Sequence, residues 1–262
     1  MLRIYTLLTV LALGTMLGVS LSTSVTSSAM ISSPQGHVIV LMYHSVRALD
    51  PKEASNLAVR RLTVEPTAFE MQIKHLQSLG CAFITASQVL EARGRGDCRV
   101  ALTFDDGYVD NGDVAFPILQ RLKVNATMFV VTGTLGSPRH LSWAQVLLMR
   151  NAGIEIGAHS ATHADLTQLS ATALRTEVLG SKRTLETHLG RAVRAISYPN
   201  GASNPRVLEA VRAAGYTVAF AKEGGAITPS SASLELPRIR ISGRADIERF
   251  KRTIANALST AR

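Results

Sequence analysis

The chain has 262 residues, 46% of them hydrophobic and 18% charged, with a formal net charge of +9. That balance suits one globular domain and excludes a disordered chain. Lys and Arg are spread along the sequence and no basic run is interleaved with aromatics, which argues against nucleic acid as a partner. The spread reads as a solvated basic surface, with attraction to an anionic envelope or membrane surface as the sharper alternative.

The N-terminus has the layout of an export signal. Met1-Leu2-Arg3 gives a short positive start, Ile4 to Val19 is apolar or small, and Ser27-Ser28-Ala29 resembles a small-residue cleavage site. The apolar run, about 16 residues, is short for a membrane span of roughly 20. A cleaved signal peptide over residues 1–29 is therefore expected, with an uncleaved anchor as the alternative. Residues 30–262 would form the working domain, exported to the periplasm, cell envelope or medium.

Beyond the leader, short apolar runs alternate with amphipathic stretches. A strand is expected at 37–43, followed by a polar stretch through Arg61. A helix over 67–79 carries Phe69, Ile73 and Leu76 on one face and ends at Gly80. Strands follow at 82–85, 99–104 and 126–131, with a helix over 114–122 before the last. Ser142 caps a helix running to Ala152, Gly153 ends it, and a strand over 154–156 comes next. Residues 171–189 read as one long amphipathic helix stopped by Gly190. After a strand at 193–198, Asn204 caps a helix that opens with Pro205. Strands near 216–220 and 238–241 and a helix over 246–258 complete the pattern. Such alternation predicts an α/β fold of parallel strands joined by crossover helices. Roughly seven strands suit a closed or nearly closed, distorted (β/α) barrel in a single domain, whose active face lies at the C-terminal strand ends.

The chemically capable residues fall at those ends. Thr103-Phe104-Asp105-Asp106-Gly107 places two adjacent carboxylates after a strand. Successive residues point opposite ways, so one acid can hold a metal while the other takes a proton, although Asp-Gly is also a common turn. His159-Ser160-Ala161-Thr162-His163 offers two imidazoles four residues apart. Two neutral imidazoles and a carboxylate suit a divalent ion such as Zn²⁺, with Co²⁺, Ni²⁺ or Fe²⁺ also accepted by such ligands. Cys81 and Cys98 each sit beside an expected strand, and either a disulfide or two separately buried thiols fits.

Together the two motifs resemble the polysaccharide deacetylase family, the nodulation-type or carbohydrate esterase family four domain, over about His37 to Ile241. The resemblance implies Asp105 as general base, Asp106, His159 and His163 as metal ligands, and Ser160 as a hydroxyl that orients one of them. The family's Arg-x-Pro-Tyr/Phe-Gly motif reads Ser197-Tyr198-Pro199-Asn200-Gly201 here, so its Arg and its aromatic are missing. The oxyanion contact at the aromatic position is a backbone N–H, which Asn200 retains, and Tyr198 would help form the wall. Leu236-Pro237-Arg238-Ile239 is similar to a segment of the circularly permuted poly-N-acetylglucosamine deacetylase branch. There an Arg arrives to steady the base, so Arg238 is assigned to Asp105, with Arg240 as its competitor. The family's usual Leu-x-His near the C-terminus is absent. Leu41-Met42-Tyr43-His44-Ser45 fits the permuted arrangement and implies His44 as general acid. Trp143 lies in a segment resembling the family's Leu-x-Trp, where core packing and sugar stacking compete.

The implied reaction is metal-assisted amide hydrolysis by a monomeric enzyme, releasing acetate from an N-acetylated glycan. Poly-N-acetylglucosamine is the favoured substrate ahead of peptidoglycan and chitin oligomers. The rival readings are an O-acetyl glycan esterase, an inactive glycan-binding protein and a membrane-anchored structural protein.

Overall fold

The computed structural model describes residues 36–259, so the expected leader at 1–29 lies outside the described residues. Seven parallel strands close into a ring. Its members are β1 (Val38–Tyr43), β5 (Arg99–Phe104), β6 (Thr127–Val130), β7 (Glu155–Ala158), β8 (Ala195–Ser197), β9 (Val218–Glu223) and β10 (Leu236–Arg240). The ring closes where β1 pairs with β5 over six registered positions, from Val38 opposite Arg99 to Tyr43 opposite Phe104. A short β4 (Ala82–Ile84) takes the far edge of β5 at its first three residues, and β6 takes the same edge only from Thr103 onward. That sharing of one edge distorts the barrel. β2 (Ser45–Val46) and β3 (Thr63–Val64) form a separate parallel pair beside the rim.

Strand alternation sorts the core into two parts. Val38 and Val40 of β1, Ala101 of β5, Phe129 of β6, Ala195 of β8, Val218 and Phe220 of β9 and Leu236 of β10 pack together inside the ring. Their neighbours Ile39, Leu41, Tyr43, Leu102, Phe104, Met128 and Ile196 face outward into the layer under the helices. In that layer α3 (Pro66–Ser78) buries Phe69, Gln72, Ile73 and Leu76, a 3–4 spacing that keeps one face against the sheet. The Tyr43 hydroxyl donates to Gln72 Oε1 at 2.9 Å, so Tyr43 is core.

Several predicted boundaries stand. Ser142 caps α6 (Trp143–Asn151) in a capping box, and Asn204 caps α9 (Pro205–Ala213) with Pro205 first. Other segments differ. The polar stretch after β1 contains two short helices, α1 (Pro51–Ser55) and α2 (Leu57–Leu62), capped by Asp50 and Asn56. A further short helix, α4 (Val89–Ala92), follows β4, and α5 (Phe116–Leu122) begins later than expected because a π turn occupies Asn111–Ala115. The long helix expected over 171–189 is α7 (Ala171–Arg175) and α8 (Ser181–Leu189) joined through a second π turn, Thr176–Gly180. α10 (Ile247–Ser259) closes the described chain. Cys81 and Cys98 form a disulfide between the starts of β4 and β5, at the opposite end of the barrel from the strand C-termini. Among the described residues, no helix is long and apolar enough to cross a membrane.

Candidate active site

The inward positions, followed two residues at a time past the strand ends, deliver the site. Val40 and Met42 lead to His44, Ala101 and Thr103 to Asp105, and Gly157 to His159; Ala195 leads to Ser197 and Leu236 to Arg238. All five end residues are at least nine-tenths buried, and they surround or underlie a cleft of about 500 Å³ at the barrel mouth. Asp106, Tyr108, His163, Tyr198, Asn200 and Arg240 also line it.

Asp105 is gripped from below. Arg238 donates to both its oxygens, Nη1 to Oδ1 at 2.8 Å and Nη2 to Oδ2 at 2.7 Å, the forked geometry that suits a carboxylate. Nη2 also donates to Ser197 Oγ at 2.7 Å, and Ser197 Oγ donates in turn to Asp105 Oδ2 at 3.2 Å. Nη1 reaches Thr103 Oγ1 at 3.2 Å, while the guanidinium lies near the Phe129 and Phe220 rings. Ser197 stands where the family motif carries its own Arg, and the smaller side chain leaves room for Arg238. Burial pushes the Asp105 carboxyl up, but Arg238, His159 and His44 more than offset this, so it stays ionised well below the usual carboxylate range.

The three expected ligands converge. His159 Nε2 and His163 Nε2 each lie 3.4 Å from Asp106 Oδ1, and the three donor atoms are all within 4.8 Å of one another. Ligand bonds near 2.1 Å at tetrahedral angles separate neighbouring donors by about 3.4 Å, so the triad fits a small divalent ion. His159 Nδ1 lies 2.8 Å from the Ser197 carbonyl. A carbonyl can only accept, so Nδ1 carries a proton and Nε2 is the ring nitrogen turned toward Asp106. The His163 backbone N–H donates to Ser160 Oγ at 2.9 Å, so the Ser160 hydroxyl orients that ligand through its main chain. Burial raises the Asp106 carboxyl, yet its contact with His159 brings it below the ordinary value, while burial and the nearby Asp106 charge push the Tyr108 hydroxyl up.

The backbone is strained here. Asp106, Ser160, His163 and Asn200 have φ of 72°, 64°, 63° and 57°, four of the five non-glycine residues with positive φ among those described. Left-handed backbone at such residues costs about 1–3 kcal/mol each and persists where surrounding contacts enforce it. Gly107, φ 68°, completes the turn after Asp106, and a Cβ there would press on Val130.

The enforcing contacts come from residues that sequence reasoning passed over. Glu177 accepts from the Ala161 and Thr162 N–H groups at 2.9 and 2.8 Å and from Thr162 Oγ1 at 2.7 Å, pinning the loop between the two histidines. Asn111 Nδ2 donates to the His44 carbonyl at 2.7 Å, and Asp110 accepts from Ser45 Oγ and Val46 N–H at 2.8 Å. Glu177 and Asn111 each belong to one of the two π turns. Such turns re-aim a side chain within a helix and recur at functional sites. Both loops are thus held by the helical irregularities that the 3.6-residue period conceals.

His44 is buried, and its Nδ1 has no hydrogen-bond partner among the described residues. Burial lowers its pKa; Asp105 and Asp106 work against that, while Arg240 and Arg238 add to it. Tyr198 is fully buried, lines the cleft and donates to the Leu234 carbonyl at 2.9 Å. Trp143 does not share the site. Its ring stacks on His188 at 3.8 Å, at the start of α6 and packed on the outer core, so packing rather than sugar contact holds it. Arg240 lines the cleft, but the fork on Asp105 belongs to Arg238.

Comparison with known proteins agrees with this geometry. Residues 92–219 match the family model described as polysaccharide deacetylase. A Streptococcus pyogenes deacetylase, PplD, solved with acetate, is 30% identical, with a TM-score of 0.78 over 83% of this chain and 97% of its own. A polysaccharide deacetylase from Bacillus cereus is also 30% identical, with a TM-score of 0.75 over 83% of this chain and 69% of its own. A poly-β-1,6-N-acetyl-D-glucosamine N-deacetylase of Staphylococcus aureus is 29% identical over 245 residues, covering 83% of each chain.

Proposed function

The chain belongs to the polysaccharide deacetylase family, and we propose that it is a metal-dependent N-deacetylase of exported or envelope polysaccharide built from N-acetylglucosamine, releasing acetate. The observation that carries the reading is a buried, ionised Asp105, locked by Arg238, in the same cleft as the triad Asp106, His159 and His163 and the imidazole of His44.

Asp106, His159 and His163 would hold the ion, and a zinc-class cation there supplies a Lewis acid that polarises an acetyl carbonyl and acidifies water. Asp105 takes the proton of the attacking water, since Arg238 and Ser197 keep its carboxylate ionised and aimed. The main chain of Asn200, turned into the left-handed region on the cleft wall, offers its N–H to the developing oxyanion. His44 delivers a proton to the departing sugar amine. With base, ligands and acid all present, the chain lacks the losses expected of an inactive glycan-binding protein. The staphylococcal relative's named substrate supports β-1,6-linked poly-N-acetylglucosamine, and the N-terminal run at 1–29 supports export.

The test is substrate choice. The purified chain with added Zn²⁺ is incubated with β-1,6-linked N-acetylglucosamine oligomers and with acetylated xylan. Acetate together with a new primary amine on the first is the expected outcome. Acetate from the xylan alone would replace this reading with that of an O-acetyl esterase.

A further inference from the structure

Two tyrosines line the catalytic cleft, Tyr108 and Tyr198. Tyr198 serves the fold, being fully buried with its hydroxyl on the Leu234 carbonyl. Tyr108 is only half-buried, and unlike Tyr43, Tyr198 and Tyr216 it belongs to neither hydrophobic core among the described residues. It is therefore the phenol ring of the cleft that has surface to offer a ligand.

That ring is held in place from behind. Tyr108 and His140 face each other across an isolated antiparallel bridge. On either side of the bridge, the Val109 N–H donates to the Arg139 carbonyl and the Leu141 N–H to the Gly107 carbonyl, each at 2.9 Å. The two rings stack with centroids 5.5 Å apart and 24° between their planes. His140 is fixed in turn by Ser137, whose Oγ lies 2.8 Å from Nδ1. The other end of the same loop is anchored at Gly133, whose N–H donates to the Ala161 carbonyl at 2.8 Å. A Cβ on Gly133 would stand 2.7 Å from that oxygen, so the approach needs glycine.

A pyranose is polar around its edge and apolar on its C–H faces. The rest of the cleft offers charged and imidazole groups with a few small or aliphatic side chains, which suit the edge better than a face. A tyrosine gives a large contact area with few torsions to fix, and one already fixed in the free protein loses little freedom on binding. We propose that Tyr108 is a substrate-binding residue, its ring the platform for a C–H face of an N-acetylglucosamine unit whose acetamide reaches the triad. The inference rests on the deacetylase reading and adds a residue that recognises the sugar rather than the acetyl group. The rival role, set by its place two residues after Asp106, is to orient that ligand.

The experiment compares wild type, Tyr108→Leu and Tyr108→Phe, each loaded with Zn²⁺, on the β-1,6-linked N-acetylglucosamine tetramer. Tyr108→Leu should raise KM about ten-fold with kcat within about two-fold, because a sugar face loses its contact while the chemistry is untouched. Tyr108→Phe keeps the ring and should keep the wild-type KM. Zinc affinity by calorimetry should be the same in all three. An unchanged KM in Tyr108→Leu overturns the platform. A loss that falls on kcat or on zinc affinity instead also overturns it, in favour of the orienting role. Tyr108→Phe as impaired as Tyr108→Leu overturns it as well, since the hydroxyl would then carry the effect. If Tyr108→Leu does not fold, His140→Ala decides: loss of the backing ring should raise KM about three-fold, and a wild-type KM overturns the claim. If the wild type releases no acetate from the tetramer, the deacetylase reading fails by itself, and calorimetry of tetramer binding decides the platform. Binding weakened by Tyr108→Leu supports it; binding that is absent or indifferent to the variant overturns it.

Discussion

Replacing Arg238 with Met tests the lock on Asp105. Both partners are almost fully buried, 1% and 3% exposed. Removing the guanidinium strands a carboxylate whose burial is then opposed mainly by the Ser197 hydroxyl and the site histidines. Breaking a buried pair from one side costs about 3–5 kcal/mol. At about 2–4 °C per kcal/mol for a domain of this size, Tm should fall by about 6–20 °C at pH 7. The sign of the pH dependence distinguishes this cause from a simple cavity. In the wild type the Asp105 carboxyl is depressed, so its contribution is complete above the ordinary carboxylate range and is lost as pH falls through the lower folded value. In the variant, burial raises the carboxyl, which regains stability by taking a proton as pH falls. The gap between the two proteins should therefore narrow toward pH 4. Denaturant unfolding of both proteins across pH 4–8 measures it, and Arg238→Lys should fall between them, keeping the charge without the fork. A gap under about 1 kcal/mol that ignores pH would refute the argument.

Asp105→Asn keeps the shape of the base and removes its charge, so the protein should still bind one Zn²⁺ by calorimetry while acetate release falls by about 10³-fold or more. For His44, whose folded pKa is lowered by burial, the sign is again set by linkage. Stability of the metal-free protein should be intact above the unfolded value near 6.5 and decline as pH falls through the folded one, and His44→Gln should flatten that slope in thermal melts. Asn111→Ala removes the 2.7 Å bond to the His44 carbonyl, and it should lower kcat while leaving zinc affinity unchanged. The double variant Cys81→Ala/Cys98→Ala opens a 17-residue closure at the far end of the barrel. It should cost about 3 kcal/mol in denaturant unfolding with little loss of turnover.

Much of the site was legible because strand alternation and motif spacing are local. Asp105 and His159 sit just beyond strand ends, where a two-residue period tells which side chains enter the barrel mouth, and motif spacing brings Asp106 and His163 with them. Arg238 was harder, since its choice over Arg240 depends on how far up β10 the level of Asp105 lies. Register across the sheet decides that, and one strand's sequence does not carry it. The cysteine pairing needed the same register, with Ala82 set opposite Arg99. Glu177 and Asn111 were not legible. Glu177 sits in a stretch that reads as one regular helix and Asn111 precedes the helix expected over 114–122, and only the π turns reveal that the two side chains are aimed at site loops. For Trp143 the sequence left core packing and sugar stacking open, and stacking on His188 decides for packing in the wall of the domain.

The central claim is that one ion, held by Asp106, His159 and His163, is required for the chemistry of this cleft. Acetate release from N-acetylglucosamine oligomers, followed before chelation, after it and after each of Zn²⁺, Co²⁺, Ni²⁺ and Fe²⁺ is restored, tests it most directly. Release should stop on chelation and return with one equivalent of an active ion. Release that continues undiminished in the chelated protein would contradict it.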